Sequence, residues 1–106
     1  MSSLPLNPPE LSIILPFYNE AGGIHDLFQR LYPMLSRLGL SYEVICVDDG
    51  STDRTYHLLC NERERDLRIK PVRLARNFGK EAALTCGLHL AQGRAAVTLD
   101  SDLQHP

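Results

Sequence analysis

Tyr42-Glu43-Val44-Ile45-Cys46-Val47-Asp48-Asp49-Gly50-Ser51-Thr52-Asp53 joins an apolar run to a polar turn and a helix start. Its first six residues lack a clean apolar–polar alternation, as expected of a strand covered on both faces in a parallel sheet. Asp48-Asp49-Gly50 stops that strand. Ser51 or Asp53 can then cap a helix running to about Asp66, with Tyr56, Leu59 and Arg63 on successive turns. Strand, turn and helix in this order make the first half of a βαβ unit, and such units build α/β folds.

The flanking sequence repeats the pattern. Leu11-Ser12-Ile13-Ile14-Leu15 reads as a strand stopped by Pro16, and Ile24, Leu27, Phe28, Leu31, Leu35 and Leu38 then recur at helical spacing up to a stop at Gly39. Pro33 lies inside that helix and is expected to kink or split it. Ile69 to Leu74 is a weaker strand, because Pro71 implies an edge position or a bulge. A third helix is expected over about Lys80 to Gln92, burying Ala83, Leu84, Gly87, Leu88 and Ala91, with Gly93 as its stop. Ala95 to Leu99 is the fourth strand, again without alternation. The predicted order is β-α-β-α-β-α-β, an α/β fold with a mainly parallel, right-handed sheet sandwiched by helices.

Bulk properties narrow the function. At 106 residues there is room for one domain. The net charge of −2 gives no support for nucleic-acid binding. Arg63, Arg65 and Arg68 interleave with Glu62, Glu64 and Asp66, the pattern of a solvated helix face. Cys46, Cys60 and Cys86 are odd in number and lack CxxC spacing, which argues for reduced thiols and against a zinc site. Residues 1–10, with Pro5, Pro8 and Pro9, read as a disordered or extended lead-in without signal-peptide character. No run approaches the roughly 18 apolar residues of a membrane span. These features lead us to expect a soluble, cytoplasmic chain.

In open α/β sheets ligands bind beyond the carboxyl ends of the strands. Four chemistry-bearing clusters fall at such ends: Pro16-Phe17-Tyr18-Asn19-Glu20, Asp48 to Asp53, Arg76-Asn77-Phe78-Gly79-Lys80, and Asp100-Ser101-Asp102. Asp48-Asp49-Gly50-Ser51 alone would pass for a turn and helix cap. Four clusters on one predicted edge make a site. Asp100 and Asp102, two positions apart past a strand, offer hard oxygen ligands for Mg²⁺ or Mn²⁺, with Gln104 and His105 as further possible ligands. Mg²⁺ usually reaches protein through one or two carboxylates plus substrate phosphates, which points to a nucleotide-diphosphate substrate. Arg76 and Lys80 are either plain surface cations or phosphate-facing groups near a helix N-terminus. His25, His57 and His89 sit on predicted helices without a partner in reach by spacing. The first strand–helix turn lacks the GxGxxG fingerprint, which excludes a dinucleotide-binding oxidoreductase.

These four stretches, with Glu81-Ala82-Ala83-Leu84 and Leu103-Gln104-His105-Pro106, resemble the inverting family 2 glycosyltransferases of GT-A (Rossmann-like) fold. The resemblance is closest to the branch acting on polyprenyl and dolichyl phosphates, and it covers residues 11–106. It implies that Pro16, Tyr18 and Glu20 floor the nucleotide site, with Tyr18 near the base and Glu20 near the ribose or base. Asp49, rather than Asp48, would accept the ring N–H of uracil or guanine. Lys80 and Asp100 would also contact the nucleotide. Asp100 and Asp102 would be the metal-binding DxD pair, with Asp102 catalytic and Gln104 an additional ligand; Ser101 stands where the family usually has Ala.

The implied reaction transfers a sugar from a UDP- or GDP-sugar, with Mg²⁺ or Mn²⁺, to an acceptor such as a polyprenyl phosphate. Residues 11–106 would be the nucleotide-sugar-binding half, ending just after the DxD motif. The acceptor half, and any membrane contact at the cytoplasmic face, would belong to parts outside this chain. The alternative is a non-catalytic nucleotide-binding remnant. The fourth strand would be left with an exposed edge.

Overall fold

The computed structural model describes residues 7–103. Gln104, His105 and the first six residues of the expected lead-in lie outside the described residues. The order is β1 (Leu11–Phe17), α1 (Ile24–Leu38), β2 (Tyr42–Asp48), α2 (Thr55–Arg65), β3 (Ile69–Arg73), α3 (Lys80–Leu90) and β4 (Ala95–Thr98), with a short 3₁₀ turn at Ala21–Gly23 before α1. All pairings are parallel and the strand order is β3-β2-β1-β4. The two central strands are buried along almost their whole length, as their unbroken apolar runs predict.

Alternation along β1 divides the core between the two faces of the sheet. Ile13, Leu15 and Phe17 pack with Ile24, Leu27, Phe28, Leu31 and Leu35 of α1 and Leu59 of α2. Ile14, with Ile45 and Val47 of β2, faces Ala83 of α3 on the other side. Burying each large apolar side chain contributes about 1.5–3 kcal/mol, so the face carrying α1 dominates stability. On the α3 face the helix comes close: a Cβ on Gly87 would stand 2.4 Å from Ile14 Cγ2. That contact needs a residue with no side chain.

Several local expectations are corrected. β1 does not stop at Pro16 but continues to Phe17. Ile14 accepts from Leu99 on the β4 side, and Pro16, two residues on, faces the same side beyond the last β4 pair, where no donor is required. α1 is one continuous helix through Pro33; the packing of its apolar stripe outweighs the lost hydrogen bond, and it ends, as expected, on left-handed Gly39. α3 ends at Leu90, and Ala91 rather than Gly93 terminates it. Gly93 instead lies against β1, where an added Cβ would meet Ser12 Oγ at 2.6 Å. Leu88 is exposed, not buried.

β4 is not covered on both faces, since Ala95 and Ala96 are exposed, and among the described residues it is an edge strand, as anticipated. β3, containing Pro71, is the other edge. In the mixed-charge segment of α2, Arg63, Glu64 and Arg65 are exposed, but Glu62 is buried and accepts from the Tyr32 hydroxyl at 3.0 Å. Pro9 and Glu10, part of the expected lead-in, are pinned by Arg94 and Ala95 donating to their carbonyls. His25, His57 and His89 are all exposed.

Beneath the opposite, amino-terminal end of the sheet lies a buried polar knot. Glu43 accepts from Ser12 Oγ at 2.5 Å, from Lys70 Nζ at 2.7 Å and from the Gln92 N–H at 2.7 Å, while Gly93 N–H donates to Ser12 Oγ at 2.8 Å. Burial pushes the Glu43 pKa up, but these hydrogen bonds and the Lys70 charge outweigh it and leave the carboxyl below its ordinary value. The knot fixes where the chain turns from α3 into β4.

Candidate functional site

All four predicted clusters meet at the carboxyl edge of the sheet. There an open cleft of about 500 Å³ is lined by Pro16, Tyr18, Glu20, Asp49, Lys80, Asp100 and Asp102, together with Phe17, Asn77, Gly79 and Ser101. Every described residue assigned to the site by sequence therefore lines one cavity. Gln104 lies outside the described residues. Asp48 is not in the lining: it is fully buried, its Oδ1 accepts from the Ser51 hydroxyl, and Arg73 Nε stands 3.8 Å from its Oδ2.

The first wall is the loop after β1. Asn19 takes a positive φ of 49°, a conformation Asn tolerates better than most residues. It is held there from the second loop: Asn19 N–H donates to Ser51 Oγ at 2.8 Å, and Thr52 N–H donates to Asn19 Oδ1 at 2.8 Å. Glu20 N–H donates to Thr55 Oγ1 at 2.9 Å and Ala21 N–H to Asp53 Oδ2 at 3.3 Å. Of the two residues expected to cap α2, Ser51 is thus a strut between loops. Asp53 does serve the helix start, accepting from Thr55 N–H at 2.9 Å. The Thr55 hydrogen bonds, with the Ala21 N–H, hold the Asp53 carboxyl below its usual range.

Asp49 anchors the third wall. Its buried carboxylate accepts from Phe78 N–H at 2.8 Å, Gly79 N–H at 2.9 Å and Asn77 Nδ2 at 3.0 Å. Next to it Gly50 has a φ of 72°, and a Cβ there would stand 2.2 Å from the Arg76 carbonyl carbon. The β2 and β3 loops are therefore interlocked, backbone against backbone. Arg76 lies over the half-exposed Phe78 ring at 4.4 Å, a cation–π contact.

The last wall is the turn after β4. Leu99 N–H donates to Ile14 and Leu103 N–H to Asp100 O at 2.8 Å, while Arg30 of α1 donates to Asp102 O at 3.2 Å. Leu103 has a φ of 66° and packs against the main core. Asp100 is ion-paired with Lys80, the first residue of α3. Sequence reasoning did not single out Arg30 or Thr55, nor the role of Asn77, Ser51 and Thr52 in bracing the loops. Asn77 lay inside a quoted motif, whereas Arg30 sits on an exposed helix face with no signal of its own.

Asp100 and Asp102 both line the cavity, and Lys80 on Asp100 shows that this carboxylate accepts a cation. Among the described residues no group of three or more His, Cys, Asp or Glu could hold a metal ion. The donor set fits a Mg²⁺ or Mn²⁺ that completes its shell with water and substrate phosphates.

Residues 12–106 match the family described as glycosyl transferase family 2. The chain belongs to that family. Among curated relatives, the uncharacterized glycosyltransferase sll0501 of Synechocystis sp. is 48% identical over 97 residues, covering 92% of this chain and 30% of that protein. The undecaprenyl-phosphate 4-deoxy-4-formamido-L-arabinose transferase of Pseudomonas paraeruginosa is 39% identical, covering 91% of this chain and 29% of its own length. This family 2 chain thus spans about 30% of the length of such relatives.

Solved structures agree on the fold. The mannosyltransferase PcManGT of Pyrobaculum calidifontis, in complex with GDP-Man and Mn²⁺, superposes with a TM-score of 0.70 at 28% identity, covering 92% of this chain and 28% of that one. Staphylococcus aureus TarS 1-349 in complex with UDP-GlcNAc gives 0.67 at 29% identity, covering 88% and 26%. The four-stranded parallel sheet with flanking helices is the GT-A type of α/β fold expected from sequence.

Proposed function

We propose that the protein is a metal-dependent inverting glycosyltransferase that moves a sugar from a UDP- or GDP-sugar to a polyprenyl phosphate at the cytoplasmic face of a membrane. The cleft described above is its donor site. The observation that carries this reading is the convergence of Tyr18, Glu20, Asp49, Lys80, Asp100 and Asp102 from four separate loops on one cavity at the carboxyl edge of a parallel sheet. Two relatives support the substrate classes: the Pseudomonas protein is named for an undecaprenyl-phosphate acceptor, and PcManGT is described with GDP-Man and Mn²⁺. Among the described residues no helix is long and apolar enough to cross a membrane.

In this reading Pro16, Tyr18 and Glu20 floor the nucleoside pocket. Asp49 has one further lone pair on Oδ1 beyond the Phe78 hydrogen bond, which suits acceptance of the ring N–H of uracil or guanine. Lys80 faces the diphosphate as a point charge, a usual role for lysine. Asp100 and Asp102 hold the divalent cation, with Gln104 an additional ligand and Asp102 the catalytic carboxylate of the pair. When bound, the cation neutralises charge on the departing diphosphate. An acceptor phosphate oxygen forms the new bond to the anomeric carbon as the bond to the nucleoside diphosphate breaks, with inversion. A phosphate monoester has a second pKa of about 6, so this acceptor is already ionised and the reaction depends on positioning more than on a general base.

The test is transfer of label from radiolabelled UDP- or GDP-sugars to undecaprenyl phosphate by the intact protein, with and without Mn²⁺. Metal-dependent lipid-linked product is expected. Nucleotide binding without transfer to any polyprenyl phosphate would assign the cleft to another acceptor or to binding alone.

A further inference from the structure

Lys80 and Asp100 come from different elements, one opening α3 and the other following β4. Neither position is incidental. Asp49 fixes the two residues before Lys80 through the Phe78 and Gly79 N–H groups. The Asp100 turn is held by Leu99 on Ile14 and by its own hydrogen bond from Leu103. The ammonium nitrogen therefore lies on Asp100 Oδ1, in a cavity that Asp102 also lines.

An ammonium hydrogen-bonded to a carboxylate oxygen takes one of its lone pairs and sets a positive charge beside the others, where a metal cation would have to approach. We propose that Lys80 competes with the divalent cation for Asp100, and that the donor diphosphate relieves this competition by drawing Lys80 onto itself. This deepens the reading above and rests on the metal role of Asp100 and Asp102. The pair is poised for exchange: the side chains are 48% and 31% exposed, and exposed ion pairs of this kind are weak. Lysine is a compact point charge on a flexible stem, so it can leave Asp100 while α3 stays in place. Metal and nucleotide would then help each other bind by more than direct ligation, and the coupling must be reciprocal.

The experiment measures Mn²⁺ binding to the intact protein by electron paramagnetic resonance, first alone and then with UDP or GDP, for the wild type, Lys80→Met and Asp100→Asn. Without nucleotide, Lys80→Met should bind Mn²⁺ about threefold or more tightly than wild type, the scale of an exposed ion pair. Its further gain on adding nucleotide should be smaller than the wild type's. Unchanged or weaker nucleotide-free Mn²⁺ affinity in Lys80→Met would overturn the competition, provided that Asp100→Asn loses Mn²⁺. Unchanged Mn²⁺ affinity in Asp100→Asn, or no Mn²⁺ binding to wild type with or without nucleotide, would overturn the metal role and the competition together.

Discussion

The Asp49 carboxylate accepts the Gly79 N–H at 2.9 Å, joining the end of β2 to the residue from which α3 starts. With the Phe78 and Asn77 hydrogen bonds it makes Asp49 an anchor of the cleft wall as well as a candidate partner of the base. The two roles can be separated by measurement.

Asp49→Ala leaves the Phe78 and Gly79 N–H groups without this acceptor, while Asn77 Nδ2 keeps only its 3.2 Å hydrogen bond to the Asp49 backbone carbonyl. The expected cost is about 1–3 kcal/mol of stability, the usual penalty for orphaned polar groups, read from urea denaturation. Metal-free affinity for UDP or GDP should fall as well. Loss of stability with unchanged metal-free affinity would leave Asp49 as an anchor and move base recognition to another residue.

Gly50→Ala should be more damaging than its size suggests. The left-handed backbone costs a non-glycine residue about 1–2 kcal/mol, and the new Cβ would stand 2.2 Å from the Arg76 carbonyl carbon, so the two loops must part. We expect a lowered denaturation midpoint together with weakened nucleotide binding. A variant with wild-type stability would show that the interlock of these loops is not rigid.

Glu43 gives the fold a pH dependence. Its pKa is depressed below the ordinary 4.5, so the unfolded chain takes up the proton first as pH falls. The stabilisation is therefore complete above the unfolded-state value and is lost as pH drops through the folded-state value. Thermal denaturation between pH 7 and pH 3 should show wild type losing more stability than Glu43→Gln over the acid part of that range. Parallel curves would mean that the knot with Ser12, Lys70 and Gln92 contributes no proton linkage.

What sequence revealed and what it did not follow a physical divide. The strands of the sheet interior and the apolar stripe of α1 are written in local periodicity, and the four loops carry polar clusters where a parallel sheet opens. Residues whose role depends on a distant partner were misread. Ser51 has the composition of a cap, but Asn19, thirty-two positions earlier, uses its hydroxyl. Gly93 has the composition of a helix stop, yet its lack of a side chain serves the approach to Ser12. Pro16 and Pro33 behave as breakers only where an N–H is needed or where packing cannot compensate. The edge position of β4 decides its exposure, and edge position is a property of topology rather than of Ala95 to Leu99.

In the proposed function Asp100 and Asp102 hold a divalent cation that joins the nucleotide to the protein. Calorimetric titration of UDP and GDP into the intact protein, with and without Mn²⁺, tests it most directly when wild type is set beside Asp102→Asn. Tighter nucleotide binding with Mn²⁺ is expected in wild type, and no such difference in Asp102→Asn. Equal affinity with and without Mn²⁺ in the wild type would contradict it.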